Sequence, residues 1–289
     1  MYHDLGIVQV EIAQRLGLSQ ARVSRLLLAA EAAKITRTVV HSPAGLNHQL
    51  EAAIERRFGA GQVHVVDCAG ETPHERQRSV AKAAVSVFSA LSLKGKVVGF
   101  DSTCDVNRIF VDLMSRETKA KANAVVDLVG KTGEPSARLD AALATHKLAS
   151  LLDAQAYFLL LPAVLPSAEV REQLLEMDSA SRVALEIGEK VDIAFLGASA
   201  PSNGPADKSA SQAVGQICLV PIDETGIPSN REFQGSIVGV HLASIAKAEY
   251  RILLATDPSQ GPVVRAALSS GLVNIVICDD ETGDYLARN

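Results

Sequence analysis

The sequence lacks several features that would define its class directly. It has no run of about eighteen consecutive apolar residues, so it predicts no membrane-spanning helix. Its first residues lack the basic, apolar and small-residue regions of a secretory signal. Its four cysteines, Cys68, Cys104, Cys218 and Cys278, form no CxxC pair and have no histidine at metal-ligand spacing. These absences predict reduced thiols, no metal site and a cytoplasmic protein.

Familiar catalytic motifs are absent too. There is no G-x-S-x-G nucleophile motif, no H-E-x-x-H zinc motif, no GxxxxGK(S/T) phosphate loop and no strand-linked G-x-G-x-x-G. His146 lies among apolar residues, which favours a structural role over that of a base. Asp101 or Lys131 could transfer protons, but nothing marks a paired acid and base. The sequence therefore favours binding without turnover, with no catalytic residue and no cofactor.

What is present is the composition of a soluble globular protein with room for one small and one larger domain. The chain has 289 residues, of which 47% are hydrophobic and 21% are charged. Its net charge is −5, but residues 1–40 contain five basic and three acidic residues, which gives +2 there and leaves −7 on the remainder. A basic head on an acidic body fits local contact with DNA. So small a charge predicts that several heads act together in one oligomer.

That head contains a helix-turn-helix pattern between Gln9 and Leu28. Apolar residues recur at the helical spacing that predicts an inward stripe: Ile12, Leu16, Leu18, Val23 and Leu26. Ala13 is small where two crossing helices approach, and Gly17 lies where the turn requires positive φ. Ser19 suits the N-cap of the second helix. Periodicity alone would also fit an ordinary amphipathic helix pair, but these offsets together favour helix-turn-helix.

The second helix would then present polar side chains to a DNA major groove. Those predicted to contact DNA are Gln9, Ser19, Gln20, Ala21, Arg22, Ser24 and Arg25. Of these, Arg25 and Ser19 would lie on or near phosphates. Only eight residues precede Gln9, fewer than the supporting helix of such a motif usually needs. Either the chain begins further upstream or later segments complete the packing.

A change of pattern near residue 42 predicts two domains. Lys34–His41 alternates like a strand, and Ser42–Gly45 combines proline and glycine, which favours a boundary. We therefore expect a DNA-binding domain over residues 1–41 and an effector-binding domain over residues 46–289.

The larger domain alternates predicted strands and helices after an amphipathic helix at Leu46–Phe58. Apolar runs predict strands at Gln62–Val66, Lys96–Phe100, Ala124–Val129, Ala156–Leu161, Val191–Leu196, Ile217–Val220, Ile237–Val240, Tyr250–Ala255 and Asn274–Cys278. Helical spacing predicts helices at Arg76–Leu91, Thr103–Met114, Leu139–Leu152, Ala168–Met177, Ala180–Ile187 and Pro262–Ser269. Continuous apolar strands such as VVDLV and IVIC, separated by helices, predict an α/β fold with a mainly parallel sheet covered on both faces.

Small and polar residues follow several of these strands. Ligands of open α/β sheets bind beyond the carboxyl ends of strands. The predicted effector-binding residues at such positions are Asp101, Ser102, Thr103, Gly130, Lys131, Thr132, Gly133, Gly197 and Ser199. Asp223 lies in the turn Ile222–Gly226, where it could be only a turn former. A plain strand-to-helix turn explains each loop alone equally well, but four such loops favour one shared pocket.

In order and spacing, four segments of the chain resemble one protein family. QVEIAQRLGLSQARVSRLL, VVGFDST, VVDLVGKTG and RAALSSGLVNIVICDDETGDYL are similar to segments of the SorC (sorbitol-operon type) sugar-responsive transcriptional regulators of bacteria. The resemblance implies a Rossmann-like domain related to glucosamine-6-phosphate deaminase and ribose-5-phosphate isomerase, retained for sensing without catalysis. It also implies homotetramers, effectors that are usually phosphorylated sugars, and ligand-controlled binding to operator DNA.

By the same resemblance, Ser102, Thr103 and Gly130–Gly133 would contact the effector, and Asp223 would bond sugar hydroxyls. The loop Ala255–Gln260 would close over the phosphate side, but the chain departs from the family here. The family commonly has AGG followed by a phosphate-pairing lysine, whereas this chain has Gln260 in the lysine's place and Asp257 nearby. A carboxylate beside a phosphate is unfavourable, so we expect an unphosphorylated sugar or polyol.

We therefore expect a sugar- or polyol-responsive, DNA-binding regulator of a carbohydrate catabolic operon. Its expected partners are operator DNA, a small sugar, polyol or sugar-phosphate effector and further copies of the chain, with no membrane. The alternative is a sugar-phosphate isomerase or deaminase with an accessory DNA-binding head, and a scaffold whose head binds protein is a weaker third.

Overall fold

The computed structural model describes residues 8–32, 46–59, 61–114, 121–201 and 212–289. The chain divides into two compact units, residues 1–44 and residues 45–289. The predicted strand Lys34–His41 and the predicted boundary Ser42–Gly45 lie outside the described residues. Within the described ranges, no helix is both long and apolar enough to cross a membrane.

The first unit contains the predicted helix pair and turn. Helix α1 (Gln9–Leu16) and helix α2 (Gln20–Ala32) are joined at Gly17, whose φ of 64° is the left-handed conformation that glycine adopts without steric cost. The Leu18 N–H donates to Ala13 O at 2.9 Å, which closes the end of α1. Ser19 is the cap of α2, because its Oγ accepts from the Arg22 N–H at 3.3 Å.

Apolar residues between α1 and α2 form a small core, which consists of Ile12, Ala13, Leu18, Val23 and Leu27. Two residues predicted for this core are exposed instead, Leu16 at 55% and Leu26 at 53%. Two crossing helices cover a narrow stripe, and on α2 that stripe is the i, i+4 pair Val23 and Leu27. The motif was predicted correctly, but its inward face was wrong at Leu16 and Leu26.

The second unit alternates strands and helices. Its strands are β1 (Gln62–Val66), β2 (Val97–Phe100), β3 (Ala124–Asp127), β4 (Gln155–Tyr157), β5 (Ile193–Ser199), β6 (Gly215–Ile217), β7 (Val220–Ile222), β8 (Tyr250–Ala255) and β9 (Ile275–Asp279). Its helices are α3 (His48–Phe58), α4 (Pro73–Ser89), α5 (Asp105–Leu113), α6 (Pro135–Leu151), α7 (Ala168–Met177), α8 (Ser179–Gly188), α9 (Arg231–Gly235), α10 (Leu242–Ile245), α11 (Gly261–Ser269) and α12 (Asp280–Arg288). A single 3₁₀ turn, Pro258–Gln260, precedes α11.

Seven of these strands form a parallel arrangement in the order β1-β9-β8-β5-β2-β3-β4. Successive side chains of a strand point to opposite faces, so on β5 Ala194 and Leu196 enter one core whereas Ile193 and Phe195 enter the other. Apolar residues of α3, α8, α11 and α12 belong to the first core, and those of α4, α5 and α6 to the second. The predicted α/β fold with both faces of the sheet covered is confirmed.

The segment after β5 differs from the prediction. Instead of one strand over Ile217–Val220, the chain forms an antiparallel hairpin of β6 and β7. Its turn places Cys218 at φ 49° and Leu219 at φ 64°. Hairpin turns with positive φ usually contain asparagine or glycine, so this sequence carried no turn signal. The predicted strand Ile237–Val240 is also wrong, because that segment makes isolated bridges and no ladder.

Several predicted elements differ at their ends. The strand predicted over Ala156–Leu161 is β4 (Gln155–Tyr157), and the helices predicted from Arg76 and Leu139 begin earlier, at Pro73 and Pro135. Helix α5 begins at Asp105 and not at Thr103, because Thr103 is held in the preceding turn by bonds to Asp101. His146, predicted to be a structural histidine, is exposed on α6, with its ring 6.5 Å from that of Phe158.

Candidate functional site

The predicted DNA-contacting residues lie at the surface of the helix pair. Five are exposed and two are half-buried: Ser19, Gln20, Ala21, Arg22 and Arg25, then Gln9 and Ser24. Arg25 Nε donates to Ala21 O at 3.3 Å, which holds the arginine stem along the helix. On the same pair, Arg15 bonds Glu11 at 2.7 Å, so that arginine is already neutralised. Among the arginines of the described helix pair, those without an ion pair therefore lie on α2.

A second cluster of predicted residues lies where β2, β5 and β8 end, at the carboxyl edge of the sheet. Asp101 follows β2 and is fully buried. Its Oδ1 accepts from the Thr103 N–H at 3.0 Å and from Thr103 Oγ1 at 2.6 Å, and the Gly197 N–H of β5 also donates to this carboxyl. Burial raises the pKa of Asp101, and the Thr103 and Gly197 donors oppose that rise. Asp101 therefore ties the β2 loop to β5.

Lys131 lies below the same loop and is paired inside the protein. Its side chain is 1% exposed, and Nζ lies 2.6 Å from Asp127 Oδ2 and 3.0 Å from Ser102 Oγ. Asp127 also accepts from Thr145 Oγ1 at 2.6 Å and from the Leu159 N–H at 3.0 Å. Burial raises the pKa of Asp127, while Lys131 and Thr145 oppose that rise. Lys131 was predicted to offer a positive charge to a ligand. In the structure this charge is balanced by the Asp127 carboxylate, and Lys131 Nζ orients the Ser102 hydroxyl.

Sequence reasoning missed Asp127, although a signal was present. An aspartate inside the apolar strand VVDLV must be buried, and a buried carboxylate requires partners. The parallel register sets Asp127 beside Phe100, one residue before the β2 loop. The pairing with Lys131 and Ser102 follows from that register, which the sequence alone did not fix.

The glycines at this edge serve close packing of the protein itself. A Cβ on Gly197 would lie 2.0 Å from Cys104 Sγ, so β5 and the start of α5 approach closely only because residue 197 is glycine. A Cβ on Gly130 would lie 2.7 Å from Leu161 O. Both positions are buried, whereas Thr132 and Ser199 are half-buried and Gly133 is exposed. Of the residues predicted in the loops after β2, β3 and β5, Thr103, Thr132, Gly133 and Ser199 therefore have accessible surface.

The loop after β8 is closed by its own side chains. Gln260 Oε1 accepts from the Thr256 N–H at 2.7 Å and from the Asp257 N–H at 3.1 Å, and Nε2 donates to Ala198 O on β5 at 2.6 Å. Asp257 Oδ1 accepts from the Ser259 N–H at 2.8 Å and from Ser259 Oγ at 2.6 Å. Gln260 thus joins the ends of β8 and β5, next to the Asp101 loop.

Asp223 follows β7, the outer strand of the hairpin that pairs with the end of β5: Ser199 pairs with Gln216, and Gly215 pairs with Ile222. Its Oδ1 accepts from the Thr225 and Ile227 N–H groups at 2.8 and 3.1 Å, which is the geometry of a turn former. A Cβ on Gly215 would lie 2.6 Å from Ser199 O and 2.5 Å from Val263 near the start of α11, whereas a Cβ on Gly226 would lie 2.8 Å from Ala266 O within that helix. The turn also borders a cavity of about 460 Å³ lined by Gly226, Ile227, Pro228 and residues of α9 and α10.

In the described part of the chain, no group of three or more His, Cys, Asp or Glu side chains is arranged to hold a metal ion. Cys68, Cys218 and Cys278 are buried and Cys104 is half-buried, and all four are free thiols. Burial and the neighbouring Glu71 raise the pKa of Cys68 to about 12, so that thiol is unreactive at neutral pH.

A helix-turn-helix unit followed by a parallel α/β unit, with polar loops at the carboxyl edge of the sheet, defines a ligand-binding protein with a DNA-binding head. The chain matches the family model described as "Putative sugar-binding domain" over residues 42–287. It is 20% identical over 301 residues to the sorbitol operon regulator of Klebsiella pneumoniae, which covers 100% of this chain and 95% of that protein. It is 25% identical over 306 residues to the deoxyribonucleoside regulator of Bacillus subtilis, with coverage of 100% and 95%.

The crystal structure of the full-length sorbitol operon regulator SorC from Klebsiella pneumoniae has the same fold. It superposes with a TM-score of 0.76 at 19% identity and covers 99% of this chain and 95% of that one. The chain belongs to the sugar-binding-domain family of transcriptional regulators, and its predicted resemblance to SorC-type regulators is confirmed. Because these relatives are regulators, the predicted regulatory function is confirmed and the enzyme alternative is not supported.

Proposed function

We propose that the chain binds operator DNA through α2 and a small hydroxylated effector at the carboxyl edge of the sheet, and that it regulates a carbohydrate catabolic operon. The observation that carries this proposal is the joining of a helix-turn-helix unit to a family-matched sugar-binding domain in one chain. Such a regulator acts in the cytoplasm, where operator DNA and reduced thiols both occur.

The DNA side of the proposal rests on the exposed start of α2. Gln20, Ala21, Arg22 and Ser24 would meet base edges, while Ser19 and Arg25 would contact phosphates. Gln9, at the first turn of α1, would contact the DNA backbone. The turn at Gly17 fixes the angle between the helices and so sets how far α2 projects.

The effector side rests on the accessible residues of the carboxyl edge. Thr103, Ser199 and Asp257 offer hydroxyl and carboxylate oxygens that suit the hydroxyl groups of a sugar or polyol. Ser102 and Lys131 are buried and would support the site from the interior. Lys131 pairs with Asp127 and bonds Ser102, and these contacts hold the loop after β2 in place. Asp101 and Lys131 are each buried and bonded to other groups, so they are not arranged as the acid/base pair that an isomerase would require.

A homo-oligomer, which we propose to be a tetramer, would bring several weakly charged heads together. The edge strand β4 has exposed apolar residues around it: Leu139 at 59% and Leu143 at 52% on α6, Leu160 at 62% after β4, and Val183 at 43% on α8. An unpaired strand edge with apolar neighbours is a suitable surface for a second copy. Several heads on one particle raise avidity for operator DNA without any new contact.

The experiment is a binding titration of the full chain on a DNA fragment enriched from the promoter region of its own operon. Arg22→Ala with Arg25→Ala is expected to weaken binding at least about tenfold and to reduce the salt slope by about one, because the base contact of Arg22 and the phosphate contact of Arg25 would be lost. The matched control is Arg56→Ala with Arg182→Ala, since both arginines are exposed on helices and Arg56 bonds Ala52 O at 3.0 Å as Arg25 bonds Ala21 O. Equal affinity and equal slope for the two double variants would contradict the assignment of α2 to DNA.

A further inference from the structure

Four N–H groups of the loop after β8, just before α11, already donate to acceptors within the protein. The N–H groups of Thr256 and Asp257 donate to Gln260 Oε1, that of Ser259 donates to Asp257 Oδ1, and that of Gln260 donates to Asp257 O at 2.9 Å. A phosphate binds at a helix start through such groups together with the helix dipole. Here each of them already has an acceptor from the protein.

The orientation of the Gln260 amide is set by its neighbours. Oε1 faces two N–H donors, and Nε2 faces the carbonyl oxygen of Ala198 at 2.6 Å. Turning the amide over would place an oxygen against an oxygen and an N–H against two N–H groups, so the assignment is determined by its contacts. The acceptor oxygen of Gln260 therefore occupies the position that an anionic oxygen of a ligand would take.

The charges around this loop also disfavour an anion. Arg108 pairs with Asp105, Lys131 with Asp127, and Arg76 with Asp279 at 3.2 Å and Glu281 at 3.3 Å, so each of these cations is balanced. Among the described residues, neither Asp101 nor Asp257 forms an ion pair; the nearby Arg76 lowers the pKa of Asp257, but its guanidinium is paired with Asp279 and Glu281. Asp257 is exposed and its Oδ2 accepts no hydrogen bond from the described residues, so a free carboxylate oxygen faces solvent. That oxygen repels a phosphate and accepts readily from a hydroxyl.

We propose that Gln260 and Asp257 determine effector class: the site takes an uncharged polyhydroxylated ligand and excludes a phosphorylated one. The amide oxygen of Gln260 occupies the position that an anionic oxygen of the ligand would take, and the carboxylate of Asp257 can accept a hydrogen bond from a ligand hydroxyl. This inference rests on the proposed effector site at the same loops and adds the chemical class of its ligand.

The test uses the full chain and inorganic phosphate as the probe, at constant ionic strength. The wild type is compared with the double variant Gln260→Lys and Asp257→Ser. This variant frees two N–H donors, adds an ammonium and removes a carboxylate, while serine retains an oxygen for the cap of the 3₁₀ turn. The control is Asp140→Asn with Gln173→Lys, which makes the same change of charge at two exposed helix positions. Phosphate binding is measured by calorimetry and by the rise of the unfolding midpoint.

The double variant is expected to bind phosphate at least about tenfold more tightly than the wild type and the control. Saturable phosphate binding by the wild type that competes with an uncharged sugar would overturn the inference. So would a folded double variant that binds phosphate no better than the control, because Gln260 and Asp257 would then not be what excludes it. If the double variant does not fold, the affinities of the wild type for matched free and phosphorylated sugars are compared instead. Tighter binding of the phosphorylated sugar would overturn the inference.

Operator binding is measured on the same preparations, without ligand and with the uncharged sugars that bind. Its failure in the wild type under both conditions would count against the proposed regulator, whereas the phosphate comparison bears on the chemistry of the effector site alone.

Discussion

Lys131 and Asp127 form an ion pair of 2.6 Å whose two side chains are 1% and 0% exposed. The pair joins the end of β3 to the loop after β2, because Lys131 Nζ also bonds Ser102 Oγ at 3.0 Å. A buried pair contributes little beyond an apolar replacement, but removing one partner leaves the other charge buried and uncompensated. The pair therefore fixes the shape of the loop that we assign to the effector.

Lys131→Met is expected to lower the free energy of unfolding by about 3–5 kcal/mol, since Asp127 would remain buried without its cation. Adding Asp127→Asn should recover most of that loss. The matched control is Lys147→Met, which breaks an ion pair of similar length, 2.8 Å, whose side chains are 46% and 71% exposed. Its cost should not exceed about 1 kcal/mol. Urea unfolding with an unchanged m-value measures all three, and equal costs for the two single variants would show that the buried pair has no special role.

Asp101 predicts a pH dependence of stability. Burial raises its pKa in the folded state, so the folded protein holds this proton more tightly than the unfolded chain. The corresponding stability is present below the ordinary pKa of aspartate and is lost as pH rises through the raised pKa. Asp101→Asn keeps an oxygen for the Thr103 N–H and removes the buried charge. The stability of this variant relative to wild type should therefore increase as the pH rises above the ordinary pKa of aspartate, about 4.

Asp140→Asn is the control for that series, because Asp140 is exposed on α6. Its difference from wild type should stay nearly constant over the same range. A stability difference for Asp101→Asn that is flat, or that falls as pH rises, would show that the folded protein does not favour the neutral carboxyl.

The sequence predicted much of the fold because its strands are continuous apolar runs. VVGF and IVIC are buried on both faces, and such runs between helices leave few arrangements other than a covered parallel sheet. The β6–β7 hairpin was missed because Cys218 and Leu219 adopt positive φ without glycine or asparagine. Leu26 was assigned to the core of the helix pair because helical periodicity fits Leu26 and Leu27 equally well. The angle at which the two helices cross decides which of them is covered, and in the structure it is Leu27.

The candidate site was predictable in position but not in its internal bonds. Strand ends located Asp101 and Ser102, because parallel strands end at one edge of the sheet, and the loop at Gln260 was placed with them by resemblance. The bonds from Lys131 to Asp127 and from Gln260 to Ala198 join different loops, so they depend on strand register and could not be read from one segment. Asp223 was placed with the site by its position after a strand and by resemblance. In the structure it follows the hairpin that pairs with the end of β5, and its Oδ1 stabilises its own turn.

The most direct test of the central claim is a titration of labelled operator DNA with the full chain. It is done with and without uncharged sugars and polyols that bind the chain in calorimetry. An effector that distinguishes two arrangements of the heads is expected to change the operator Kd by at least about fivefold. The phosphorylated counterpart of that sugar should leave the Kd unchanged. If operator affinity stays the same with every bound sugar at saturation, the sheet does not report a metabolite to the helix-turn-helix and the account is wrong.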